Sequence, residues 1–192
     1  MTSALFIIDV QNDFTEGGAL GVEGGAAVAA GISRYLDEHP DAYDVVLASR
    51  DWHDGSNDNG GHFAMEADPD YVVTWPQHCV SGTPGAEYHP DLDTSDVDVH
   101  IQKGQGEPAY SIYEGKTPDG VPLSEVLAER GVTDVDVVGI ATDYCVRASA
   151  LDAVNDGKRV RVLSDLIAGV APDSSQAALK ELEAAGVTVT HS

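Results

Sequence analysis

Apolar residues come in short, dense runs along this chain, and polar residues rarely interrupt them. The runs fall at residues 5–10, 45–48, 97–101, 135–140, 160–163 and 187–189. They are rich in Val and Ile and mostly lack the alternation of a half-exposed strand. Each is therefore expected to be a strand covered on both faces. Stretches with helical patterning lie between them. Residues 25–38 are alanine-rich, and 123–130 opens after Pro122 and closes at Gly131. Residues 144–155 stop before Gly157, and 174–185 stop at Gly186. Glycine after the last periodic residue is a common helix stop. Strand and helix alternating in this way predict an α/β fold, a parallel sheet with helices on both faces in three α/β/α layers.

One region breaks the rhythm. Residues 50–95 show no regular element, yet they hold both tryptophans and four of the seven histidines. A structureless segment of this length in a compact domain is usually functional or disordered. Its tryptophans argue for order. The expected organisation is a single domain over residues 1–192 with an ordered excursion at about 50–95 that needs a staple, which a bound metal could supply.

Composition narrows the function. The 192 residues carry 33 Asp plus Glu against 10 Lys plus Arg, a formal net charge of -23. Such a chain repels polyanions, so nucleic acid and anionic membrane surfaces are poor partners. The acids are spread along the chain, which suits solubility. More sharply, it suits a salty medium in which screening relieves self-repulsion. No apolar stretch reaches the length of a membrane span, and the N-terminus lacks the features of a secretory signal. Two cysteines make no disulfide framework, so the expected setting is a reducing cytoplasm and any functional cysteine is a free thiol.

Three single residues and one set of four carry candidate chemistry. Asp9 lies at the end of an otherwise apolar run. A buried carboxylate there is costly unless paired or protonated, and it can serve as a general base as well as a turn cap. Lys103 is one of only four lysines and follows the third strand directly. Cys145 follows the fourth strand, with Thr142 or Asp143 as a candidate N-cap. A helix start would favour its thiolate, whereas a lone cysteine is more often a small buried hydrophobe. Asp51 and His53 are two apart and so share one side of an extended backbone. With His62 and His78 they offer one carboxylate and three imidazoles, a set suited to a divalent Zn, Fe or Mn ion. Solvated loop histidines are the competing reading. His89 is spare and is expected to have a turn or surface role. Cys79 fits the inert reading better than Cys145 does.

Taken in order, "DVQNDF", "GGAL", "RDWH", "GHF", "WPQHCVSGTPGAE", "KG", "AYS" and "VVGIATDYCVRASALDA" resemble the isochorismatase-like cysteine hydrolases, and within them the nicotinamidase/pyrazinamidase family. The likeness runs nearly the whole chain. It implies a six-stranded parallel sheet and a catalytic triad of Cys145, Asp9 and Lys103. It also implies one divalent metal ion on Asp51, His53, His62 and His78. Phe14, Trp75 and Tyr110 would form an aromatic substrate pocket, with Ile140 and Tyr144 as further walls. A cis peptide would join Ile140 to Ala141, and the N–H groups of Ala141 and Cys145 would form an oxyanion hole. Relatives with Gly at the nucleophile position are isochorismatases, and Cys145 sets this chain apart from them. The expected activity is hydrolysis of nicotinamide to nicotinate and ammonia, with pyrazinamide as a second substrate, in NAD salvage. The alternatives are a related cysteine amidase acting on another small carboxamide and a non-catalytic metal-binding homologue. The expected assembly is a monomer or small homo-oligomer.

Overall fold

The computed structural model describes residues 1–192. Six strands form one sheet: β1 (Thr2–Ile8), β2 (Val45–Asp51), β3 (Val99–Lys103), β4 (Val132–Ile140), β5 (Arg159–Ala168) and β6 (Thr188–Thr190). Their order is β3-β2-β1-β4-β5-β6, and every neighbouring pair is parallel. Four helices connect them: α1 (Gly25–Glu38), α2 (Leu123–Arg130), α3 (Arg147–Asn155) and α4 (Pro172–Ala184). The six-stranded parallel α/β/α arrangement is the one expected.

The continuous apolar runs have a direct physical cause. Successive residues of β1 enter two different cores. Phe6 and Ile8 join Leu47, Ile101 and Val137 on the face covered by α2, α3 and α4, where Leu127, Ala150 and Leu182 are buried. Leu5 and Ile7 join Val46, Ala48 and Val138 under α1, through Val28, Ile32 and Leu36. With both faces covered, no position of β1 from Ala4 to Ile8 gains from being polar.

Boundaries differ from the expected runs by a few residues. β4 starts at Val132 and β5 continues to Ala168, because parallel pairing carries polar residues that periodicity excludes. Asp134 and Asp136 lie opposite Arg159 and Arg161 in the ladder. The helix expected from residue 144 is also different. Thr142–Val146 form a π-turn, and regular α-helix begins at Arg147.

The chain order creates a crevice. It runs outward from β1 to β2 and β3, then returns to place β4 on the other side of β1. At such a reversal the loops leave the carboxyl ends of adjacent strands in opposite directions, and ligands bind between them. Asp9 follows β1, Asp51 and Lys103 end β2 and β3, and Cys145 follows β4. Gly139 permits the close approach of the central strands: its φ is +113°, and a Cβ there would lie 2.1 Å from the Ile8 carbonyl oxygen.

Candidate active site

Cys145 sits in the π-turn, nearly buried, with the Lys103 ammonium 3.8 Å from its sulfur. The Ala141 carbonyl accepts the N–H groups of Tyr144 and Val146, the residues on either side of Cys145. The Ile140–Ala141 peptide is cis. The expected cap is absent, since neither Thr142 nor Asp143 caps this turn through its side chain. Asp143 instead accepts the N–H groups of Val170 and Ala171 and the Ser174 hydroxyl. It therefore ties the nucleophile's turn to the β5–α4 connection and to Ser174 in the first turn of α4. The π-turn lengthens the corner by one residue, so a side chain that could cap a regular first turn points to the neighbouring helix.

Lys103 is buried between two carboxylates. Its Nζ lies 2.8 Å from Asp9 Oδ2 and also hydrogen-bonds Asp51 Oδ1. Asp9 accepts a further bond of 2.7 Å from the Ser49 hydroxyl. These charges do not share one fate. Burial raises the Asp9 carboxyl above its ordinary range, although Lys103 opposes the shift. Burial also acts on Asp51, but Lys103, His53 and His78 outweigh it and hold that carboxyl well below the ordinary range. Desolvation disfavours the Lys103 cation, and the two carboxylates more than restore it. Burial pushes the Cys145 thiol well up; Lys103 pulls it down, and Asp9 and Asp51 oppose Lys103. Burial thus favours the neutral form of the Cys145 thiol and raises the proton affinity of Asp9 beside it.

The excursion brings its histidines onto this cluster. Ring nitrogens of His53, His62 and His78 all lie within 4.8 Å of one another. Asp51 Oδ2 is 3.5 Å from His53 Nε2 and 3.7 Å from His78 Nε2. Each of these two rings has its other nitrogen on a backbone carbonyl. His53 Nδ1 donates to Gly104 O and His78 Nδ1 to Pro76 O, both at 2.7 Å, which turns Nε2 toward the cluster. Both nitrogens of His62 and Nε2 of His53 are buried without a hydrogen-bond partner. Orphaned ring nitrogens facing a buried carboxylate are the donor set of a divalent ion. Burial, with the neighbouring His53 and His78 rings, depresses His62 to about 4, so it is neutral and able to ligate near pH 7. The residues fit one ion.

Above the cluster lies a cleft of about 340 Å³. The five residues expected in a pocket (Phe14, Trp75, Tyr110, Ile140 and Tyr144) all line it, as do Cys145, Asp51, His62 and His78. The Trp75 ring stands edge-on to Tyr144 at 5.3 Å and donates its indole N–H to the Tyr110 hydroxyl at 3.1 Å. Tyr144 also stacks on Tyr110. His89 stays outside, its Nδ1 accepting the Asp91 N–H in a local turn. Cys79 is buried, its N–H held by Asp13, and its carbonyl accepts the His53 N–H.

Three further contributors were not singled out by the sequence reading. Gln11 is buried and clamps Asp51 by its backbone, donating to Asp51 O and accepting from Asp51 N–H. Ser49, the first polar residue of "VVLASRD", orients Asp9. Gly104 lies so close to the His53 ring that a Cβ would come within 2.4 Å of it. A polar residue directly after an apolar run was the available signal for Ser49. Nothing local marks Gly104.

A doubly wound sheet with a thiol, two buried carboxylates and a lysine at the carboxyl ends of its central strands is the arrangement of a cysteine hydrolase. The isochorismatase domain matches residues 3–192, and the chain belongs to that family. It is 54% identical over 184 residues to the nicotinamidase/pyrazinamidase of Mycobacterium tuberculosis, covering 96% of each chain. Among solved structures, it resembles the pyrazinamidase of Pyrococcus horikoshii in complex with zinc, with 36% identity, a TM-score of 0.85 and full coverage of both chains. It also resembles PnC1 from L. infantum in complex with nicotinate, with 35% identity, a TM-score of 0.84 and coverage of 99% of this chain and 92% of that one. No helix is long and apolar enough to cross a membrane.

Proposed function

We propose that this chain, acting as one domain, is an amidohydrolase that converts nicotinamide to nicotinate and ammonia. Pyrazinamide is a second substrate of the same class, and the nicotinate formed serves pyridine-nucleotide salvage. The observation that carries this reading is one aromatic-walled cleft in which Cys145 meets Asp9, Lys103 and a three-histidine cluster.

The pyridine ring lies among Phe14, Trp75, Tyr110 and Tyr144, aromatic faces suited to a flat heterocycle, and Ile140 closes the pocket behind it. Asp9 takes the thiol proton as the Cys145 sulfur bonds to the carboxamide carbon. The backbone N–H groups of Ala141 and Cys145 hold the oxygen that becomes negative. Asp9 then returns its proton to the departing nitrogen, the C–N bond breaks and ammonia leaves. A water adds to the thioester while Asp9 accepts its proton, and the thiolate departs and is reprotonated. Throughout, Lys103 stays charged between Asp9 and Asp51 and offsets the negative charge that moves across the site.

Asp51, His53, His62 and His78 would hold one divalent ion, Zn, Fe or Mn. Bound there, the ion supplies an electrophilic point, direct or through its water, that fixes the ring nitrogen. The zinc complex of the Pyrococcus relative makes zinc the first ion to test.

Ammonia release from nicotinamide tests the reading directly. The wild-type protein is expected to turn over, and Cys145→Ala to lose about four orders of magnitude or more. Undiminished turnover in the variant would remove Cys145 from the mechanism.

A further inference from the structure

The cleft is not buried throughout. Its floor of Asp51, His62, Trp75 and Cys145 is almost fully enclosed, whereas Tyr71 and Val170 at its outer end are each 56% exposed. The aromatic rings give the direction. Tyr144 adjoins the nucleophile in the chain, Trp75 stands edge-on to Tyr144, and Tyr71 stands edge-on to Trp75 at 6.2 Å. The wall therefore runs outward from the thiol and ends in an apolar rim.

That rim is built and not incidental. Asp70 Oδ1 accepts the N–H groups of Val72, Val73 and Thr74, each at 2.9 Å. The Asp70 N–H donates to the Thr74 hydroxyl, and the Tyr71 N–H to the Thr74 carbonyl. The network fixes a turn that holds Tyr71 at φ +57° and leaves Val72 and Val73 71% and 64% exposed. On the facing lip, Val170 is held by its own N–H on Asp143. In a chain of net charge -23, clustered exposed apolar residues continuous with a cleft mark a binding surface.

From this geometry we infer that Tyr71 and Val170 form an outer subsite that accepts an apolar substituent on the ring of the amide, so the chain also hydrolyses ring-alkylated and ring-arylated pyridine carboxamides. The inference rests on the function proposed above, and the orientation follows from it. With the amide carbon at Cys145 and the ring nitrogen toward the histidines, both polar points of the ring face the floor. The ring carbon meta to both then points away from the floor, toward the mouth. A single-ring amide leaves the outer part of a 340 Å³ cleft unfilled, since cavities of about 300 Å³ and more take drug-sized ligands.

The test compares nicotinamide with its methyl, propyl and phenyl derivatives at that carbon. It uses the metal-loaded wild-type protein and the variants Tyr71→Ser and Val170→Ser. The expected result is that wild-type kcat/KM for the derivatives stays within about tenfold of that for nicotinamide. Each variant is expected to lower the derivative-to-nicotinamide ratio by roughly tenfold, chiefly through KM. Turnover of nicotinamide with rejection of every derivative overturns the outer subsite alone. No turnover of any amide overturns the underlying reading as well. An unchanged ratio in both variants also overturns the outer subsite and leaves the underlying reading standing. If Tyr71→Ser then also sediments as a smaller species, the rim is a contact between copies of the chain.

Discussion

The two ends of the sheet offer an instructive contrast. The amino end has the larger cavity, about 680 Å³ against 340 Å³. Charged side chains line both. At the amino end the arginines meet their partners across the strand ladder: Arg159 pairs with Asp134 and Arg161 with Asp136, and both arginines are more than half exposed. At the carboxyl end Asp9, Asp51 and Lys103 are buried together, and three imidazole nitrogens nearby have no hydrogen-bond partner. Cavity size does not distinguish a site from a surface hollow here. Buried polar groups that the fold alone leaves unsettled do so, because only a ligand or a reaction accounts for keeping them.

This contrast can be broken by experiment. The largest effect is expected from Lys103→Met, which strands two buried carboxylates without their cation. Removing one partner of a buried pair costs about 3–5 kcal/mol, and turnover should fall below detection. Arg159→Met at the other end, where both partners of the pair reach solvent, should leave the denaturant midpoint nearly unchanged and turnover within about twofold. Denaturant midpoints and ammonia release measure both. Equal costs at the two ends would erase the distinction.

Chelation comes next. Stripping the protein of metal should lower its melting temperature, since an ion that binds only the native state stabilises it. Adding back Zn, Fe or Mn should restore both melting temperature and turnover. Unchanged behaviour after complete stripping, checked by elemental analysis, would mean the histidine cluster holds no functional ion.

A smaller effect follows from His62, whose folded value of about 4 lies below that of a free imidazole. Above about pH 6.5 the ring is neutral in both states and contributes no pH dependence. Between about 6.5 and 4 the unfolded chain binds a proton that the native ring refuses. Stability of the chelated protein should therefore fall as pH falls through that window. Denaturant titrations across it should show the slope, and His62→Phe should flatten it. The smallest expected effect is that of salt. Screening of the net charge of -23 should raise the melting temperature by roughly a few degrees in molar KCl.

Much of this molecule was legible in the chain. The apolar runs marked all six strands, because a parallel strand covered on both faces admits few polar residues. Asp9 stood out as a carboxylate inside such a run, Lys103 as a rare lysine just after one, and Cys145 as a thiol at the helix start that follows another. Asp51, His53, His62 and His78 were legible as a donor set, but their intervals in sequence could not separate a metal cluster from solvated loop histidines. Boundaries such as the start of β4 were not legible, since Asp134 and Asp136 are carried there by cross-strand arginines.

The tertiary structure decided the rest, and the reason is distance along the chain. Asp9 and Lys103 are 94 residues apart and Lys103 and Cys145 42, so their meeting depends on strand order, which places β1 between β2 and β4. The same holds for Asp143. Its sequence neighbours suggested that it caps its own helix, but the π-turn hands it to α4. Composition and patterning determined which residues could do chemistry here. Which of them touch, and which nitrogens are left without a partner, came from the packing of elements remote in sequence.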